Sequence, residues 1–327
     1  MKLSFSKKRR DYIIICIVLS IIVTLIPWDM LNPRGFFIDR LSYFFAYDFK
    51  RFRLDGFYAE SIYDYITYEW LWHYILSYSR NDLDISPEVF FGFITFVSFF
   101  AYSFFILKHN QKVVSLIYLF NPVFISFVYS QLRLSFAMAL FLLAITFFNR
   151  KKTLLISLSL FLAAILIHTA MAIFVFLLLA SVYISRMKGR KVKKIFFVVL
   201  IGFILNIMVG PLRYRILDKL DDRRAELDDS SSPAIYFIIY AMYFIVVIYY
   251  IFKYKLVVLN NYIYNYAFII FSFIFFSVFL GGYTSRFVAA TQCFIILSLF
   301  IMKGKISVLF HSLYITYLVL LWIGFFI

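Results

Sequence analysis

The sequence predicts an all-α, polytopic integral membrane bundle of about eleven helices, and three observations carry that prediction. Apolar side chains make up 64% of the 327 residues and aromatic ones 23%, with a mean hydropathy of +0.89. A soluble core has no use for that much apolar surface, whereas a bilayer solvates it. Apolar runs near the length needed to cross about 30 Å of hydrocarbon recur along the whole chain. These runs are continuous rather than alternating at period two, which argues for helices and against a transmembrane barrel. Finally, the short basic segments between runs fall on alternate connections, as the positive-inside rule requires.

Taken in order, the first run, 11–27, follows KKRR at 7–10 and lacks a small-x-small site at its end, so it reads as a span and not a cleaved signal. Residues 28–87 form a long first outer loop with six basic residues, nine acids and many rings. Within it, ESIYDYITYEWLWHYILSYSR (60–80) reads as an interfacial or re-entrant helix, with Trp and Tyr at headgroup depth. Spans follow at 88–107, 113–129 and 132–148, separated by KHNQK and by Ser130-Gln131. After NRKK the apolar stretch 153–185 is too long for one span and suffices for two short ones hinged at His168. The remaining spans are 195–210, 234–252, 256–280, 286–302 and 306–327. A second outer loop, 211–233, carries Ile216, Leu217, Leu220 and Leu227 among its charges, the pattern of an amphipathic surface helix before the SSSP turn. The two loops, 28–87 and 211–233, read as the cover of an active site. No repeat or composition shift divides the chain, so it reads as one membrane domain, 1–327.

The net charge of +16 sorts by side. One set of connections holds 20 Lys and Arg with a single acid; the other holds 13 Lys and Arg with 16 acids. That asymmetry is a topology signal rather than a nucleic-acid footprint. It places the N-terminus in the cytoplasm and the C-terminus outside. Cys16 and Cys293 lie in apolar runs, which suits buried thiols better than a disulfide. No histidine spacing suits zinc, and the sites are expected to hold no metal and no cofactor.

Charged groups at membrane depth are costly and mark function or an internal partner. Nearly every run here is free of them. The exceptions are Arg133 two residues after Gln131, His168, and Arg286 in GGYTSRFVAATQ, all at outer ends of spans; Arg213 and Arg215 open the loop on that side. Guanidinium forks match phosphate oxygens bidentately, so this set suits a lipid-linked pyrophosphate held at the membrane boundary. Arg133, Arg286, Gln131, Arg213 and Arg215 are its candidate ligands. His168 suits phosphate contact or proton transfer. Glu69, Asp39, Asp64 and Asp48 are the candidate bases, with Glu69 and Asp39 preferred. For each residue a structural reading stands beside the functional one: a snorkelling arginine, a packing histidine, a solvated loop acid.

YSQLRLSFAMALFLLAIT (129–146), the basic turn after it, and AAILIHTAMAIF (163–174) resemble the Wzy/EpsG group of bacterial polysaccharide polymerases. Asp39 with Tyr43, Glu69-Trp70-Leu71, NPVF (121–124) and TSRF (284–287) fit the layout of that group. Leu134 departs from it, since many of the EpsG branch carry Gln there. The resemblance implies a metal-independent glycosyltransferase in the bacterial inner membrane, working on O-antigen, capsule or exopolysaccharide at the outer face. Its substrates would be oligosaccharides on undecaprenyl pyrophosphate, and a chain-length regulator protein is an implied partner. In that reading Arg133, His168, Glu69 and Asp39 carry catalysis. Two alternatives remain open here: a lipid-linked oligosaccharide flippase or other transporter, and an O-antigen ligase-type transferase.

Overall fold

A computed structural model describes residues 2–31, 37–48, 61–148, 151–188, 191–212, 235–253, 257–280, 284–302 and 304–326. Among them every regular element is helical. Four helices are long and apolar enough to cross a membrane: Pro87–Asn110, Lys191–Gly210, Tyr262–Leu280 and Lys305–Phe326. A fifth crossing results if Val113–Leu119 and Pro122–Ser130, bent by 74° at their junction, count as one. These helices are the structural basis for reading the chain as a membrane protein. Of the other expected spans, 11–27 falls on the 24-residue helix Lys2–Leu25, and the rest fall on apolar helices of 10–17 residues (Leu132–Phe148, Leu154–Ile167, Met171–Arg186, Phe237–Lys253) or on broken ones. A 14-residue helix such as Leu154–Ile167 is about 21 Å long, short of the hydrocarbon thickness.

The chain packs as two compact units, residues 1–175 with 318–327, and residues 176–317. The first begins with α1 (Lys2–Leu25), α2 (Trp28–Leu31), α3 (Ile38–Asp48), α4 (Ile62–Thr67) and α5 (Trp70–Asn81). It continues with α6 (Pro87–Asn110), a 3₁₀ helix at Val113–Leu119, α7 (Pro122–Ser130), α8 (Leu132–Phe148) and α9 (Leu154–Ile167), and includes the start of α10 (Met171–Arg186). α6 shows why these segments start and stop where they do. Pro87 opens its first turn, Glu88 faces the positive end, and Lys108 and His109 face the negative end. Gln111, left-handed at φ 58°, closes it by donating its amide to the Leu107 carbonyl.

The run 113–129, expected as one span, is broken because Pro122 lacks an amide proton and Asn121 caps a new helix, accepting from the Val123 amide at 2.9 Å. The segment 60–80 likewise splits in two. Ser61 and Asp64 form a capping box on α4, and Glu69 turns the chain into α5. The hinge expected at His168 is present between α9 and α10. Within the unit α1 packs on α6, α6 on α8 and α8 on α9, while α4 and α5 lie against α9. Trp322, from the tail 318–327, donates its indole N–H to the Phe120 carbonyl at 2.8 Å and stacks on Trp28.

The second unit contains most of α10, α11 (Lys191–Ile207), which runs on into a π-turn at Met208–Leu212, α12 (Ile235–Lys253) and α13 (Tyr262–Leu280). α14 (Thr284–Ala290), α15 (Gln292–Leu299) and the start of α16 (Lys305–Phe326) complete it. The span expected at 286–302 is interrupted at Thr291, whose hydroxyl donates back to the Phe287 carbonyl at 2.6 Å. α11 and α13 approach closely at Gly202. A Cβ there would lie 2.5 Å from the Ser272 side chain and 2.8 Å from the Phe273 nitrogen. Only hydrogen fits, the close-packing device of small-residue helix contacts in membranes.

Candidate functional site

Three of the sequence-predicted residues meet in the first unit, although about a hundred positions separate them. Each is delivered by the end of a helix. Arg133 is the second residue of α8. His168 caps the C-terminus of α9 with an extended backbone, its amide bonded to the Ala164 carbonyl, and its own carbonyl accepts the Met171 amide that starts α10. Glu69 immediately precedes α5, where its carbonyl accepts the Trp72 amide at 3.0 Å.

Glu69 is the hub. Its Oε2 is 2.5 Å from Arg133 Nη1. Its Oε1 is 2.6 Å from His168 Nδ1, and it also accepts from the Thr169 amide at 3.0 Å and the Thr169 hydroxyl at 3.2 Å. The Glu69 side chain is only 10% exposed, against 20% for His168 and 31% for Arg133. The carboxylate is thus the buried partner, and the two basic groups open outward from it. Burial by itself drives the Glu69 carboxyl up. The hydrogen bond and charge of His168, the Arg133 charge and the Thr169 amide overcome that and hold it down at about 2. It is therefore ionised at any physiological pH.

Backbone geometry reinforces this arrangement. Glu69 sits at φ 53°, ψ 46°, the left-handed region that non-glycine residues avoid. Strain of about 1–3 kcal/mol persists only where surrounding contacts over-determine it, and such positions cluster at functional sites. Here the four donors to the carboxylate supply the over-determination.

The cluster retains unused hydrogen-bonding capacity, a donor on Arg133 and an acceptor on Gln131. Among the described residues Arg133 Nε and Gln131 Oε1 are buried without a hydrogen-bond partner. Arg133 also lies in the first turn of a 17-residue helix, whose free amides and dipole favour an anion. Sequence reasoning missed two neighbours. Thr169 adds two donors to Glu69. His73, one turn along α5 from Glu69 and stacked on Tyr68 with centroids 4.9 Å apart, is held low by burial and by Arg133, opposed by Glu69. The i, i+4 spacing of Glu69 and His73 was the available signal for the second.

Other predicted residues fall elsewhere. Asp64 is committed to Ser61, accepting from its amide at 2.8 Å and its hydroxyl at 3.0 Å. Asp39 is half-buried in the first turn of α3 beside Arg40. Arg40, read at first as one of six loop basic residues, is 7% exposed. It donates from Nη1 to the Tyr129 carbonyl at 2.9 Å, its amide donates to Ser130 Oγ at 3.2 Å, and its guanidinium lies 3.9 Å from the Tyr129 ring centre. It fastens α3 to the end of α7, two residues before Gln131 reaches α8. Arg286 is half-buried at the start of α14 in the second unit. Arg213 and Arg215 lie outside the described residues, as do most of 211–233 and the side chain of Asp48.

Comparison with models of known families, with characterised proteins and with solved structures returns no match. The arrangement therefore speaks through its chemistry alone: an outward-facing guanidinium and imidazole, both anchored by one buried carboxylate.

Proposed function

We propose that this chain is a polysaccharide polymerase of the bacterial inner membrane. It transfers a growing glycan from undecaprenyl pyrophosphate to the terminal sugar of another lipid-linked repeat unit. In this reading the chain makes about eleven crossings with its N-terminus in the cytoplasm, which puts the ends of α8 and α9 at the outer face. The observation that supports it most is the convergence of Arg133, Glu69 and His168, which the resemblance to Wzy/EpsG proteins singled out from three distant stretches of sequence. The Arg133 side chain is 31% exposed and has its Nε unpaired, which leaves it able to turn donors to a diphosphate while Glu69 holds the guanidinium in place. A fixed guanidinium stabilises the charge that develops on a departing pyrophosphate. Gln131 stands beside it as a further polar ligand. Arg286 belongs to the second unit and enters the reading as a separate cation with its own variant.

Arg133→Ala and Arg133→Lys, made in separate strains, test the assignment by the surface glycan they leave on a gel. Both are expected to lose the long ladder at unchanged protein level, because an ammonium cannot reproduce the fork. Normal ladders from both would overturn it. Deletion of the gene separates the polymerase from its rivals. A polymerase deletion leaves a single repeat unit on the surface, a flippase deletion none, and a ligase deletion lipid-linked polymer that never reaches its acceptor.

A further inference from the structure

The geometry points to Nε2 of His168 as the atom that takes the proton from the attacking sugar hydroxyl, with Glu69 as the positioning carboxylate behind it. This inference rests on the polymerase reading for its substrate, and on the structure for its atoms.

An ionised carboxylate only accepts hydrogen bonds. At 2.6 Å from Glu69 Oε1, His168 Nδ1 must therefore carry a proton, which leaves the lone pair of the neutral ring on Nε2. Among the described residues no hydrogen bond reaches Nε2, and the His168 side chain is 20% exposed, so this lone pair is the one left for an incoming hydroxyl. Glu69 is badly placed to be the base itself. Oε1 already accepts three donors and Oε2 meets Arg133, so its own protonation would break the contacts that hold it. Its left-handed backbone shows the same thing from the main-chain side: the residue is fixed to serve its neighbours. A histidine oriented by a buried carboxylate is the usual way to set tautomer and raise basicity together.

The acceptor hydroxyl oxygen forms a bond to the anomeric carbon of the donor glycan as its proton passes to Nε2. The bond from that carbon to the pyrophosphate oxygen breaks, and the electron pair leaves with undecaprenyl pyrophosphate. The imidazolium then returns its proton to the released diphosphate or to water.

Among the described residues Glu69 is the charged group in direct contact with His168, and the same carboxylate is coupled to Arg133 from α8 and to His73 from α5. Replacing Glu69 by Gln keeps an acceptor for Nδ1–H and removes the negative charge that favours the imidazolium. It also leaves the Arg133 charge unopposed. Both changes disfavour a positive charge on the His168 ring. The test uses the full-length protein in nanodiscs, with diethyl pyrocarbonate as the probe and mass spectrometry reading His168 modification from pH 5 to pH 9. The expected result is modification at His168 that sets in at lower pH in Glu69→Gln than in the wild type. An unchanged onset, or a His168 that the reagent never reaches, overturns the inference.

Turnover of a lipid-linked oligosaccharide, followed in parallel, separates the two ideas. His168→Ala should lower kcat by about 10²- to 10⁴-fold with little change in KM, and Glu69→Gln should shift the acid limb of the pH profile downward. If wild-type protein never forms polymer, the function fails while the modification data stand. If it does and the acid limb ignores Glu69→Gln, the positioning role fails and the function stands.

Discussion

Replacing Glu69 by alanine and by glycine tests the hub of the site through two separable contributions. Alanine removes the ion pair to Arg133 and the three contacts from His168 and Thr169, while keeping a Cβ on a left-handed backbone. Deleting one member of a buried ion pair costs about 3–5 kcal/mol. Because the Arg133 side chain is 31% exposed it regains hydration once released, which brings the expected loss to about 2–4 kcal/mol. Glycine loses the same contacts but relieves the conformational penalty of a left-handed non-glycine residue, about 1–2 kcal/mol. The glycine variant should therefore be the more stable of the two. At about 2–4 °C per kcal/mol, alanine lowers the thermal midpoint in nanodiscs by roughly 4–16 °C and glycine restores a few degrees of that. A Glu69→Ala protein that melts with the wild type would refute the hub. A glycine variant no better than alanine would refute the strain.

Two further outcomes follow from the same physics. Because the Glu69 carboxyl is held below its unfolded value of about 4.3, its stabilising contribution is complete above that pH and is lost as pH falls toward 2. Wild-type protein should lose more of its thermal midpoint between pH 6 and pH 3 than Glu69→Gln does; parallel losses would contradict the pairing. Gly202→Ala should destabilise the second unit by about 1–3 kcal/mol, since its new Cβ would lie 2.5 Å from the Ser272 side chain. A melting curve identical to wild type would mean that α11 and α13 separate freely.

Much of this was legible in the sequence, and the exceptions have local causes. Each apolar run became a helix or a helix pair, because continuous apolar stretches have no other way to satisfy their backbone in lipid. The break at Asn121-Pro122 was also written in the sequence as a cap followed by a helix-opening proline, but the apolar residues around it masked that signal. The break at Thr291 was not legible, since a single threonine in an apolar run has several choices of hydrogen bond. Arg133 and His168 could be picked out individually as rare polar groups at the ends of apolar runs, and Glu69 as an acid within the aromatic segment 60–80. Their mutual contact could not, because nothing local in sequence relates positions 69, 133 and 168. Arg40 shows the opposite error. Among five other basic residues of a mixed-charge loop it looked solvated, yet it is buried against Tyr129 because that ring and the end of α7 offer it partners.

The charge of the cluster changes during the proposed step, and this change is what a glycosyl transfer needs. In the reactant state of that step Arg133 and Glu69 offset one another and the unprotonated His168 ring offers its lone pair at Nε2. As the proton moves to Nε2 the cluster gains one positive charge. At the same moment negative charge builds on the departing pyrophosphate. Interactions that strengthen only as the reaction proceeds raise kcat rather than merely tightening binding. A permanent second cation in place of His168 would instead hold the diphosphate equally well before and after transfer, and would slow its release. His168→Lys makes that substitution. On this argument it keeps or improves donor binding yet fails to restore turnover. A lysine variant with wild-type kcat would show that fixed charge suffices and that proton transfer at this position is unnecessary.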